Sequence, residues 1–66
     1  MKKAAVTIDA WKLPIFEKHL DAAGFHYVNA GQLIKDVVVL QVEYEWVATL
    51  KPVIEAANQE CAENTP

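Results

Sequence analysis

The residues with metal-binding or nucleophilic side chains are His19, His26 and Cys61. Zinc sites draw their ligands from closely spaced pairs of such residues. Here the two histidines lie on either side of a predicted helix end, and the cysteine stands alone. We therefore expect no metal and no other cofactor, with His19 on a helix surface and Cys61 as a small buried residue.

The same residue types give little basis for catalysis. Cys61 falls near the predicted C-terminus of a helix, beside Glu60 and Glu63, where the surrounding charge opposes thiolate formation. Glu43 and Glu45 share one side of a strand end, where solvent exposure prevents the desolvation that an acid–base pair needs. Neither glycine belongs to a phosphate-binding loop. We predict that the protein is not an enzyme.

Composition narrows the class of protein and its partners. The chain has 66 residues, 53% of them hydrophobic, so residues 1–66 are expected to form one domain. Its net charge is -3 and all six basic residues are lysines, which argues against nucleic acid as a partner. No apolar run is long enough for a membrane span. A single cysteine fits a reducing compartment, so we predict a cytoplasmic location.

The first half of the chain predicts a strand and a helix. Residues 3–9 alternate as a short strand that ends at Asp9. A stripe of apolar residues at helical spacing follows, and Pro14 is expected in the first turn of that helix. The helix should end at Ala23, with Gly24 in the left-handed conformation and Phe25 in contact with Leu20. The residues of the stripe are Leu13, Phe16, Leu20 and Ala23.

The second half predicts two strands and a second helix. Residues 25–29 form a short strand, and residues 29–35, around Gly31, form a loop. Residues 36–45 contain the most valine-rich strand. The last helix starts at about Trp46 or Thr49 and ends at about Glu63, with Pro52 near its start. Its buried stripe consists of Leu50, Val53, Ile54, Ala57 and Cys61.

The order β-α-β-β-α belongs to the α+β class. A right-handed crossover places the third strand between the other two, giving a three-stranded mixed sheet of order 1-3-2. Both helices then cover one face, in an open-faced split β-α-β sandwich that lacks the fourth strand of a ferredoxin-like fold. The first strand is consequently an edge strand with unpaired backbone groups.

The opposite sheet face is left uncovered and is unusually apolar. A solvated face normally alternates with polar residues, but this one carries three valines and two small residues. Each valine side chain is worth roughly 1.5–3 kcal/mol on burial, so we predict a homodimer, formed either through this face or through the edge of the first strand. The residues expected on the face are Ala5, Thr7, His26, Val28, Val37 and Val39.

Two tryptophans add a second candidate contact. Trp11 and Trp46 each precede a proline-marked helix start, and each could simply fix its helix against the sheet end. Exposed together, they would form a binding anchor, because tryptophan is enriched at interface hot spots. Leu33 and Ile34 carry the same two interpretations, as a plug in the core or as contact residues.

One segment, residues 7–25, carries a resemblance. Its Trp-Lys-Leu-Pro stretch, His-Leu pair and Ala-Gly-Phe helix end resemble small proteins encoded in bacteriophage genomes, and the tail Lys-Pro-Val-Ile-Glu-Ala-Ala-Asn is similar too. The resemblance implies a phage or prophage context, in which small proteins frequently bind and block host machinery. It brings no functional residue with it.

Together these patterns predict a protein–protein interaction module, a homodimer with an unidentified protein partner. The alternative is an oligomer that binds or sequesters a small ligand between its subunits. Lys3, Lys35 and His26 are the polar groups that such a ligand would meet.

Overall fold

The structure is a computed structural model that describes residues 2–66. It confirms the α+β class and the order of elements. A 3₁₀ turn, Ala10–Lys12, joins the first strand to the first helix. The elements are β1 (Lys2–Asp9), α1 (Leu13–Ala23), β2 (Tyr27–Ile34), β3 (Val37–Tyr44) and α2 (Val47–Glu63).

The sheet has the predicted order, with β3 between β1 and β2. Both ladders are antiparallel: β1 pairs with β3 from Lys2 opposite Tyr44 to Asp9 opposite Val37, and β2 pairs with β3 from the other side. All strand pairs of the sheet are therefore antiparallel, and the sheet is not the mixed sheet that was expected. β1 and β2 do run in the same direction, but β3 separates them.

β2 is longer than the sequence indicated. Residues 29–35 were expected to form a loop, yet the strand continues to Ile34 through two irregularities in its pairing. At the first, Gly31 has a φ of +109°, and its N–H donates to Oδ1 of Asn29 at 2.9 Å. Asn29 and Gly31 therefore belong to a β-bulge. Bulges and loops favour the same residue types, which is why the sequence pattern was interpreted as a loop. The reversal to β3 takes only two residues, with Asp36 at a φ of +64°.

The end of α1 is confirmed in detail. Gly24 has a φ of +79°, its N–H donates to the Asp21 carbonyl at 3.1 Å, and the Phe25 N–H donates to the Leu20 carbonyl at 3.0 Å. This pair of bonds is a Schellman motif. It turns the chain abruptly into β2, and Pro14 lies in the first turn of α1 as predicted.

Both helices pack on the same face of the sheet, as predicted. The buried residues of β1 and β3 and the stripes of α1 and α2 form a single cluster, in which Leu40 and Val42 have no solvent-exposed surface. No polar or charged residue among residues 2–66 is buried. The buried residues are Ile8, Phe16, Leu20, Leu40, Val42, Leu50, Ala57 and Cys61.

Candidate interaction surface

We call the sheet face away from the helices the open face. On β3 it consists of the residues that alternate with the buried Leu40 and Val42. Each has a partner on β1, and these β1 residues are all exposed. The open-face pairs are Val37 with Asp9, Val39 with Thr7, Gln41 with Ala5, and Glu43 with Lys3.

β2 completes the open face on the other side of β3. Val28 lies opposite Gln41 and is 63% exposed, and Ile34 lies opposite Val37 and is 64% exposed. The His26 carbonyl accepts the Glu43 N–H at 2.9 Å, which extends the ladder at this end. The structure therefore brings Ala5, Thr7, His26, Val28, Val37 and Val39 onto one face.

Polar and apolar residues are unevenly distributed over the open face. Lys3 and Glu43 lie at the end nearest the start of β1, whereas Val37, Val39 and Ile34 lie at the end nearest the β2–β3 turn. Gly31 lies opposite Val39 and has no side chain to cover it. The turn end of the face thus carries most of its apolar side chains, with Thr7 and the exposed Asp9 of β1 beside them.

Three further apolar residues are exposed, and for Leu33 and Ile34 this exposure agrees with their interpretation as contact residues. Leu33 is 63% exposed at the second irregularity of β2, so neither it nor Ile34 plugs the core. Val47, the first residue of α2, is 64% exposed and was not among the predicted contact residues. Ile34 is exposed because it lies on the open face opposite Val37, and Leu33 lies at the adjacent irregularity of the edge strand, positions that a loop assignment could not reveal.

The two tryptophans do not form a joint anchor. Trp46 follows the end of β3 that pairs with Lys2, whereas Trp11 follows the end of β1 that pairs with Val37, so they lie at opposite ends of the sheet. Trp46 is 70% exposed. Trp11 packs against the core, and the Lys12 ammonium lies 5.5 Å from its ring centroid. Among the Phe, Tyr and Trp residues of the described range 2–66, only Trp46 is exposed.

A small cleft opens beside each tryptophan. The cleft at Trp46 has a volume of about 190 Å³ and includes His26, Glu43 and Glu45 in its lining. The cleft at Trp11 has a volume of about 330 Å³ and reaches the buried Cys61. Burial raises the pKa of the Cys61 thiol, so this group is poorly suited to nucleophilic attack at neutral pH.

The polar groups considered for a small ligand are dispersed. Lys3 and His26 flank Glu43 from opposite sides at one end of the sheet. Lys35 lies in the β2–β3 turn at the other end. Within residues 2–66, moreover, no three His, Cys, Asp or Glu side chains come close enough together to hold a metal ion.

A polar cluster links the two helices away from the open face. Glu60 on α2 accepts hydrogen bonds from Lys18 Nζ at 2.7 Å and from His19 Nε2 at 2.8 Å. These partners hold the pKa of Glu60 below its usual range. This cluster is not predictable from local sequence patterns, because Glu60 is separated from its two partners by about forty positions.

No protein-family model matches the chain, and neither a curated protein nor a solved structure matches it. Among residues 2–66 there is also no helix with the length and hydropathy of a membrane span.

Proposed function

We propose that this protein is a non-enzymatic protein–protein interaction module that self-associates as a homodimer and binds another protein through the open face. The observation that carries the proposal is the exposure of Val28 and Ile34, 63% and 64%, beside the partly exposed Val37 and Val39. Contiguous apolar patches of this kind mark interaction sites on small proteins.

The state of the reactive side chains supports a role other than catalysis. Cys61 is buried in the α2 stripe. His19 is engaged by Glu60. A nucleophilic mechanism needs a base within hydrogen-bond reach of the nucleophile, whereas His19 is bonded to the Glu60 carboxylate instead. The free thiol also supports a reducing, cytoplasmic setting.

The resemblance to phage-encoded proteins supports a more specific version of the proposal. In that version the open face binds a bacterial host protein, and the module acts as its inhibitor or adaptor. A largely apolar surface on the host protein is the complementary chemistry, since the turn end of the open face offers Val37, Val39 and Ile34, with Asp9 as the charged residue beside them.

The test compares two aspartate substitutions on β2. Val28 and Gln32 are both exposed, but their partners on β3 are Gln41 and Val38, so they lie on opposite sides of the sheet. Val28→Asp introduces a charge on the open face, whereas Gln32→Asp introduces the same charge on the other side. Tagged wild-type protein and both variants are incubated with a bacterial lysate, and captured proteins are quantified by mass spectrometry.

We expect wild-type protein and Gln32→Asp to capture a common protein that Val28→Asp loses, because a charged group cannot be buried there without a partner. Equal capture by all three chains would remove the open face from the proposal. Light scattering on the wild-type chain should give about twice its 7.4 kDa mass. A thermal shift with metabolites that is unchanged by Val28→Asp would favour the small-ligand alternative instead.

A further inference from the structure

The two edges of the sheet differ in their capacity to pair with another strand. β2 is interrupted between Asn29 and Gly31 and again between Gln32 and Ile34. Bulges of this kind blunt an edge. β1, from Lys2 to Asp9, instead keeps an unbroken register over eight residues, with neither glycine nor proline. Its outer backbone groups are therefore arranged for one more antiparallel strand.

The charges of β1 are suited to a second copy of the same strand. Lys2 and Lys3 lie at its beginning and Asp9 at its end, and all three are exposed. An antiparallel copy reverses this order, so each positive end faces a negative end. Opposite charges directly across a strand pair stabilise it.

Symmetry and charge together select one register. A two-fold axis perpendicular to the sheet requires residues on the same face to lie opposite each other. Centred on Val6, the pairing places Lys3 opposite Asp9 of the partner subunit, and Asp9 opposite the partner's Lys3. Centred on Ala5, it places Lys3 opposite Thr7 of the partner subunit, so the Lys3–Asp9 ion pairs between subunits do not form.

We infer that β1 pairs antiparallel with β1 of a second copy, centred on Val6, through two symmetric Lys3–Asp9 ion pairs. The inference rests on the proposed function and identifies the surface through which the module self-associates. On the helix side, the same register places Val6 opposite the partner's Val6, beside the core cluster that Val6 contacts.

Pairing through the open face instead is disfavoured by Gln41. This residue lies near the middle of β3, on the open face, between Ala5 and Val28. A second sheet stacked there would remove its amide from water, and an unpaired buried amide is costly. Edge pairing leaves Gln41 in solvent. It also joins two open faces into one continuous surface of a six-stranded sheet, available to the partner protein.

Charge reversal tests the inference, because the two single variants complement each other. In Lys3→Asp, both ion pairs become pairs of aspartates, and in Asp9→Lys they become pairs of lysines. Each should raise the dissociation constant of the homodimer by about tenfold. A mixture of the two variants restores both attractions, so native mass spectrometry should show the mixed dimer in preference to either homodimer.

Lys2→Asp is the matched control. It makes the same charge change on β1, but Lys2 lies opposite Ala10 of the partner subunit, beyond the inferred ladder, so dimerisation should change little. Circular dichroism establishes that each variant is folded, which matters because Lys3 also lies opposite Glu43 within its own sheet. Asp9 likewise has Lys12 nearby, at 3.8 Å.

Disulfide formation tests the register without changing charge. With oxidised glutathione as the oxidant, Val6→Cys should cross-link to the partner's identical residue. Thr7→Cys should not, because its inferred neighbour is Ala5 of the partner subunit. Faster cross-linking of Thr7→Cys would overturn the register. Homodimers that persist unchanged in both charge variants would overturn β1 pairing but leave self-association standing, whereas a monomeric wild-type chain would overturn both.

Discussion

His19 on α1 donates its Nε2–H to the Glu60 carboxylate on α2 across 2.8 Å. Lys18 donates to the same carboxylate. Glu60 lies in the last turn of α2, where the helix dipole disfavours a negative charge. Two basic side chains from α1 offset that electrostatic penalty. Their bonds to Glu60 also link the C-terminal end of α2 to α1.

Glu60→Gln should lower the melting temperature at neutral pH by removing this attachment. Lys18 and His19 hold the pKa of Glu60 below the ordinary value of 4.5. A carboxylate with a lowered folded-state pKa stabilises the fold above its unfolded pKa, and that stabilisation is lost as the pH falls through the folded-state value. The difference in melting temperature between wild-type protein and Glu60→Gln should therefore shrink as the buffer is acidified below pH 4.5.

Glu63→Gln is the control for that measurement. Glu63 lies in the same last turn and accepts only a 3.3 Å bond from Gln59. Removal of its charge relieves the unfavourable interaction with the helix dipole, so the melting temperature should stay the same or rise. Equal losses in Glu60→Gln and Glu63→Gln would show that the link to α1 contributes nothing.

Gly24→Ala should reduce the free energy of unfolding by about 1 kcal/mol, because alanine is strained at positive φ. Gly24 has a φ of +79°, and a Cβ at this position would meet no atom within 4 Å. The loss is therefore conformational rather than steric. Gly24→Asn should lose less, since asparagine tolerates the left-handed region. Urea denaturation of both variants checks this order, and an asparagine variant less stable than the alanine variant would contradict it.

The sequence was most informative where structure depends on neighbouring residues. The end of α1 follows from Gly24 and Phe25 alone, and the burial of Leu40 and Val42 follows from strict alternation within β3. Sheet order followed from the handedness of one crossover.

Features that depend on distant residues were missed. The Asn29–Gly31 bulge uses residues typical of loops, and only pairing with β3 distinguishes the two. The separation of Trp11 from Trp46 depends on the antiparallel β1–β3 ladder. The partners of Glu60 on α1 are not visible from the sequence near it.

Leu40→Ala should severely destabilise the protein. Leu40 is completely buried at the centre of the sheet, and removing such a side chain costs about 2–5 kcal/mol. A domain has only roughly 0.05–0.15 kcal/mol of stability per residue, so the variant should be partly unfolded at 25 °C by circular dichroism. Leu33→Ala makes the same change at a 63% exposed position of β2 and should shift stability by less than about 0.5 kcal/mol. Similar losses in both would contradict the burial of Leu40 and the exposure of Leu33.

The two tryptophans should differ in their access to water. Trp11→Phe leaves Trp46, which is 70% exposed, as the only tryptophan, whereas Trp46→Phe leaves Trp11, which packs against the core. Trp11→Phe should therefore emit at longer wavelength and be quenched more strongly by iodide than Trp46→Phe. Because Trp46 buries little surface within its own chain, Trp46→Phe should also cost less stability in urea denaturation. Stronger quenching of Trp46→Phe would place Trp46 against the core and remove the one exposed aromatic surface that the fold presents.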